Sequence, residues 1–151
     1  TGRTYGRPLK MPRRLLSKDR LMRYAQRALE IGIKQVKAGA SISAIGEAIE
    51  DYASLHGYSI VKDFSGHTIG VEMHEDPHIP SYHNKRYDNV FLKEGQVICI
   101  EPTLTPGSGR VGILGTDKWT VFCIDNQPAA MFEEMVLVKE NGHEILTHHL
   151  N

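Results

Sequence analysis

Apolar residues recur at three- and four-residue steps through Leu21, Ala25, Ala28, Leu29, Ile33 and Val36, the one-sided stripe of an amphipathic helix. Ser17 stands where a side-chain oxygen would cap its first turn, and Gly39 where a left-handed residue would stop it. A second stripe, Ile42, Ile45, Ile49 and Tyr52, lies between Ser41 and Gly57. The short link through Gly39 predicts two neighbouring, antiparallel helices. Ahead of Ser17, residues Gly2, Gly6, Pro8 and Pro12 interrupt any period, so residues 1–16 read as an extended arm.

After Gly57 the helical period is lost. Tyr58, Ile60 and Val61, then Val97 to Glu101, Thr120 to Ile124 and Glu133 to Val138, are rich in Val, Ile, Phe and Leu and read as strands. Asn141-Gly142 signals a two-residue hairpin leading to Glu144-Ile145-Leu146. Helices followed by mostly antiparallel strands predict an α+β fold, with two helices packed on one face of a curved sheet in a single domain spanning residues 1–151.

Composition supports a globular chain and adds little else. At 151 residues and 40% hydrophobic content there is enough apolar material for one core. No apolar run approaches the roughly 20 residues of a membrane-spanning helix, and the N-terminus lacks the apolar segment of an export signal. A cytoplasmic protein without membrane contact is expected. Cys99 and Cys123 fall in apolar, strand-like segments, where a free thiol behaves as a small hydrophobe. Basic and acidic residues balance at 18 each, yet Arg3, Arg7, Lys10, Arg13, Arg14, Lys18, Arg20 and Arg23 face only Asp19 in the first 23 residues. That cluster reads as a solvated face or as a contact for phosphate, such as ribosomal RNA.

Candidate chemistry enters with the carboxylates. Alternation along Val97-Ile98-Cys99-Ile100-Glu101 puts Glu101 on one face with Val97 and Cys99, and Ile98 and Ile100 cover the other. The same alternation puts Glu133 with Met135 and Leu137, and Glu134 with Val136 and Val138. At least one of these glutamates must therefore enter an apolar layer, where an unpaired charge costs several kcal/mol. A proton, a basic partner or a metal would neutralise it. His67, between Gly66 and Gly70, offers a ligand where small residues let the backbone come close. One imidazole with two carboxylates suits manganese, iron, cobalt or zinc. His74-Glu75-Asp76-Pro77-His78 also spells H-E-x-x-H, but Pro77 would break the helix that a zinc-protease motif requires.

Ser65-Gly66-His67-Thr68-Ile69-Gly70, Met73-His74-Glu75, Ile100-Glu101-Pro102, Lys118-Trp119-Thr120 and Phe132-Glu133-Glu134 occur in the order and at the spacing of one family. From about Thr1 to Leu146 the chain resembles the C-terminal half of a type I methionine aminopeptidase, one of the pita-bread metallopeptidases. The resemblance implies removal of N-terminal methionine from nascent polypeptides by a centre of two divalent ions. It places His67, Glu101 and Glu133 as metal ligands, Glu133 as the bridge between the ions and Glu101 also beside the attacking water. His74 matches the histidine that contacts the substrate peptide and stabilises the tetrahedral intermediate. Trp119 and Met73 match walls of the pocket for the methionine side chain.

There are departures from the family. Such enzymes also take two aspartates and a further histidine from an N-terminal half with no counterpart here, so three of the five ligands are present. Thr68 replaces a usual glycine, and Glu134 a usual histidine. The resemblance thus implies an enzyme completed by an N-terminal half, whether the chain is part of a split protein or a piece of an ordinary one. The second reading is a non-catalytic binding module at the ribosome. Sheet area left open predicts association with a complementary half or with a second copy.

Overall fold

The computed structural model describes residues 13–147, with side chains from Ser17 onward. Both helical stripes form as the periodicity predicts. Helix α1 spans Arg13–Ile33 and α2 spans Ile42–Leu55. Leu21, Ala25, Ala28, Leu29 and Ile33 from α1 and Ile42, Ile45, Ile49 and Ala53 from α2 are all buried in one core. Ser41 caps α2, its Oγ accepting the Ser43 amide at 3.2 Å while donating to the Tyr87 carbonyl at 3.0 Å. Helix α1 departs from expectation at both ends. It begins at Arg13, so Ser17 lies inside it and the arm cannot extend to residue 16. It stops at Ile33, where bonds from Gln35 to Gly32 and Val36 to Ile33 tighten the last turn, before Gly39 turns the chain at φ 79°. The remaining residues of the expected arm, 1–12, lie outside the described residues, as do Arg3, Arg7 and Lys10 of the basic cluster.

Among the described residues ten short strands follow: β1 Ser59–Ile60, β2 Gly66–Ile69, β3 Glu75–Ile79, β4 Val97–Ile100, β5 Thr103–Thr105, β6 Val111–Ile113, β7 Val121–Cys123, β8 Ala130–Met131, β9 Glu134–Lys139 and β10 Gly142–Ile145. The main sheet has the order β10-β9-β4-β2-β3, a smaller one β1-β5-β8, and β6 pairs with β7 in a ribbon. Every pairing is antiparallel. The α+β expectation is met, although the strands divide among three sheets. In the last hairpin Lys139 pairs with Gly142, so Glu140 and Asn141 form the turn, one residue earlier than the Asn-Gly signal predicts.

Ile98, Ile100, Val136 and Val138 point from β4 and β9 into the core shared with the helices. By the two-residue period, Cys99, Met135 and Leu137 must then face the opposite side of the sheet. That side carries the chemistry. Among the described residues no helix is long and apolar enough to cross a membrane.

Candidate metal centre

Strand register builds the site. His67 on β2 lies opposite Cys99 on β4, and Cys99 lies opposite Met135 on β9. Directly opposed antiparallel residues bring their Cβ atoms to about 5 Å. Ile100 pairs with Glu134, so one further step along the same register sets Glu101 across from Glu133. Three strands thus deliver His67, Cys99, Glu101 and Glu133 to one patch on the face away from the helices. Close strand packing is possible there because Gly66 has no side chain: a Cβ on it would stand 2.1 Å from the Cys99 carbonyl oxygen.

The His67 ring is almost wholly buried, and its Nε2 lies 3.9 Å from Oε1 of Glu101, a side chain only 19% exposed. Its Nδ1 sits 3.1 Å from the Thr68 carbonyl. A carbonyl only accepts, so Nδ1 carries the hydrogen of that bond, which leaves the Nε2 lone pair of the neutral ring directed at the acidic groups. Donor atoms of His67, Cys99 and Glu101 all lie within 4.8 Å of one another. The Cys99 thiol donates to Oε1 of Glu133 at 2.7 Å.

Burial above all, then the charge of Glu133, holds the Glu101 carboxyl above its ordinary range, against an opposing pull from His67. Burial and the bond to Glu133 push the Cys99 thiol upward as well. Two carboxylates crowded beside a buried imidazole are what a divalent cation relieves, so the donor set fits such an ion. Of the glutamates that alternation set beside apolar residues, Glu101 and Glu134 are partly buried and Glu133 is exposed, because it precedes β9 at the margin of the sheet, and the desolvation cost falls on Glu101.

His74 is exposed, with its ring centroid 4.2 Å from that of His67, so the second histidine does join the patch. The H-E-x-x-H string forms no helix: residues 75–79 are strand β3. Met73 and Trp119 are 71% and 86% exposed, and neither is among the residues lining the cleft that reaches Glu101. Trp119 lies just ahead of β7, where its amide and that of Thr120 bond Asp117, outside the patch. The apolar cleft that does reach Glu101, about 630 Å³, is walled by Phe64, Val111, Val121, Phe122 and Met131. That volume is in the range of a small-ligand pocket. These wall residues come from the loop before β2 and from short strands β6, β7 and β8, and carry no shared sequence signal. Cys99 had one, since alternation already set it on the face of Glu101.

The two departures from the family pattern have local partners. Thr68 donates to the Pro77 carbonyl at 3.1 Å, tying β2 to β3. The Glu134 carboxylate accepts from the Thr147 hydroxyl.

Comparison with known proteins gives the family and the fold. The model of metallopeptidase family M24 matches residues 1–140. A methionine aminopeptidase of Mycoplasma capricolum subsp. capricolum is 40% identical over 129 residues, covering 85% of this chain and 51% of that protein. One from Buchnera aphidicola is 41% identical over 133 residues, 88% and 49% of the respective lengths. The crystal structure of methionine aminopeptidase from Rickettsia prowazekii superposes with a TM-score of 0.81 at 35% identity, over 86% of this chain and 52% of that one. Two helices on antiparallel sheets match the pita-bread fold of such structures. The chain spans about half the length of the curated relatives it matches.

Proposed function

Because this chain belongs to metallopeptidase family M24, we propose that it supplies His67, Glu101 and Glu133 to a divalent-metal centre that removes methionine from the N-terminus of new polypeptides. The observation that carries this reading is the convergence of a buried imidazole and a carboxylate at 3.9 Å, on the sheet face away from the helices and at the end of an apolar cleft. Membership of the family implies divalent ions. Which ion serves, among manganese, cobalt, iron and zinc, depends on the complete ligand set.

Each residue has a task. His67 offers Nε2 as a neutral donor, fixed by its bond to the Thr68 carbonyl. Glu133 lies across from Glu101 and would serve as the second carboxylate ligand. Divalent ions held there would lower the pKa of a water and polarise the scissile carbonyl. Glu101, ionised beside the bound cation, would take the proton of that water as general base. His74, beside His67, donates a hydrogen bond to the oxygen on which charge develops. The cleft beyond Glu101 accepts an unbranched apolar side chain. We assign that selection to Phe64, Phe122 and Met131, with Met73 and Trp119 contributing only where a further segment draws them toward the cleft.

Two aspartate ligands complete the centre from residues outside this chain, on a complementary N-terminal half. The test is methionine release from a Met-Ala-Ser peptide under manganese, cobalt, iron or zinc, with and without the N-terminal half of a homologous aminopeptidase. Release is expected only with both parts, and Glu133→Ala should lower it by about 100-fold or more, since even groups one shell from a metal are worth 10–100-fold. Peptide binding without release under every metal would overturn the peptidase reading in favour of a binding module, for which ribosomal RNA is then the partner to try.

A further inference from the structure

Resting on the metal-centre reading, we propose that Cys99 is itself a ligand, giving this centre a mixed imidazole, carboxylate and thiolate set that favours thiophilic ions over manganese. Register is the first ground. Cys99 is the residue directly opposite His67 and two positions before Glu101 on the same face, so its side chain enters the middle of the ligand patch. Geometry is the second. Donors held at roughly 2.0–2.3 Å from a common ion lie no more than about 4.6 Å apart, and the His67, Cys99 and Glu101 donor atoms fall within 4.8 Å of one another with no ion bound. Only small side-chain rotations separate that arrangement from a shared ion.

The third ground is the contact with Glu133. The Cys99 thiol donates to Oε1 of Glu133, so Cys99 stands in direct contact with a second carboxylate of the patch. Cysteine binds metals as thiolate: the S–H bond breaks, an S–metal bond forms, and the proton leaves to water. Soft sulfur shifts preference toward zinc, cobalt or cadmium and away from manganese, which oxygen donors suit. Cys123 does not share the role. It lies on the β6–β7 ribbon with its Sγ 4.0 Å from the Thr105 hydroxyl, and serves as an internal control.

Cobalt(II) added to the 151-residue chain provides the readout without any need for turnover. The wild type and Cys123→Ser should show a sulfur-to-cobalt charge-transfer band in the near ultraviolet together with visible ligand-field bands. Cys99→Ser should keep the visible bands and lose the charge-transfer band, and its cadmium affinity should fall by at least about tenfold while its manganese affinity changes little. X-ray absorption of the zinc-loaded wild type, which depends on no variant, should give one sulfur at about 2.3 Å. Visible bands that vanish in His67→Ala but come with neither a charge-transfer band nor a sulfur shell would overturn the thiolate ligand and leave the metal centre standing. Failure to bind cobalt even with the N-terminal half of a homologous aminopeptidase added, or binding indifferent to His67→Ala, would overturn both.

Discussion

Glu101 is the residue at which folding and chemistry oppose each other most directly. Burial and the Glu133 charge raise its pKa in the folded chain, so the metal-free fold favours the protonated carboxyl. A raised folded pKa contributes stability that is fully present below the unfolded value, about 4.3, and is lost as pH rises through the folded value. Urea midpoints of the metal-free chain should therefore contain a component that declines from about pH 4 toward neutrality. Glu101→Gln, which cannot ionise, should remove that component. A bound cation reverses the sign, because it stabilises the ionised form, so with a divalent metal the wild type should gain stability over the same window. A profile identical in wild type and Glu101→Gln, with and without metal, would mean that Glu101 neither bears the desolvation cost nor meets the ion. Alternation along β4 is enough to identify this residue from sequence. The same alternation sets Glu133 on the right face but not its exposure, because it fixes which face a side chain takes and says nothing of whether that face is covered.

At the scale of elements, β2 carries His67 and is held between β3 and β4 at a spacing that Gly66 sets. A methyl group there would meet the Cys99 carbonyl at 2.1 Å and the Ile79 carbonyl at 3.1 Å. Both are ladder backbone and cannot swing aside. Gly66→Ala should therefore cost about 3 kcal/mol, the upper part of the usual overpacking range, and weaken metal binding in the same variant by displacing His67. A thermal midpoint within a degree or so of wild type would refute that account. Capping of α2 is a milder case. Ser41→Ala removes a cap and a bond to the Tyr87 carbonyl and should cost about 1 kcal/mol, with metal affinity unchanged because the cap lies on the helical side of the sheet. Both helices are legible in the sequence because their stripes repeat over about three turns or more, and every apolar position named for the first stripe is buried. Strands β1, β5, β6 and β8 have two or three residues each, too few for a period, and their partners are distant in sequence. Ser59 pairs with Thr105, for example. For the same reason the cleft walls could not be read, although the ligands that end it could.

For the whole molecule, the question is what covers the ligand face. Ile113, Phe122 and Ile124 on the β6–β7 ribbon are 65%, 43% and 42% exposed, and Met131 beside them is 48% exposed. A two-stranded ribbon is marginal in water without a packing partner, and at roughly 25 cal/mol per Å² of apolar surface removed from water, docking a segment over this region would stabilise the ribbon and the ligand patch together. Under the proposed function the further metal ligands come from an N-terminal half, so one segment can perform both tasks. The N-terminal half of a homologous aminopeptidase, added as a separate polypeptide, should form a 1:1 complex in sedimentation velocity and slow hydrogen exchange at residues 111–131. Alone at higher concentration, the chain should self-associate through the same face. Divalent metal should tighten the mixed complex, since an ion shared between the two parts contributes only when both are present, whereas contacts between two copies gain nothing from it. A monodisperse monomer that ignores both the added half and the metal would show that the ribbon is stable uncovered, and the split-centre proposal would then have no interface on which to operate.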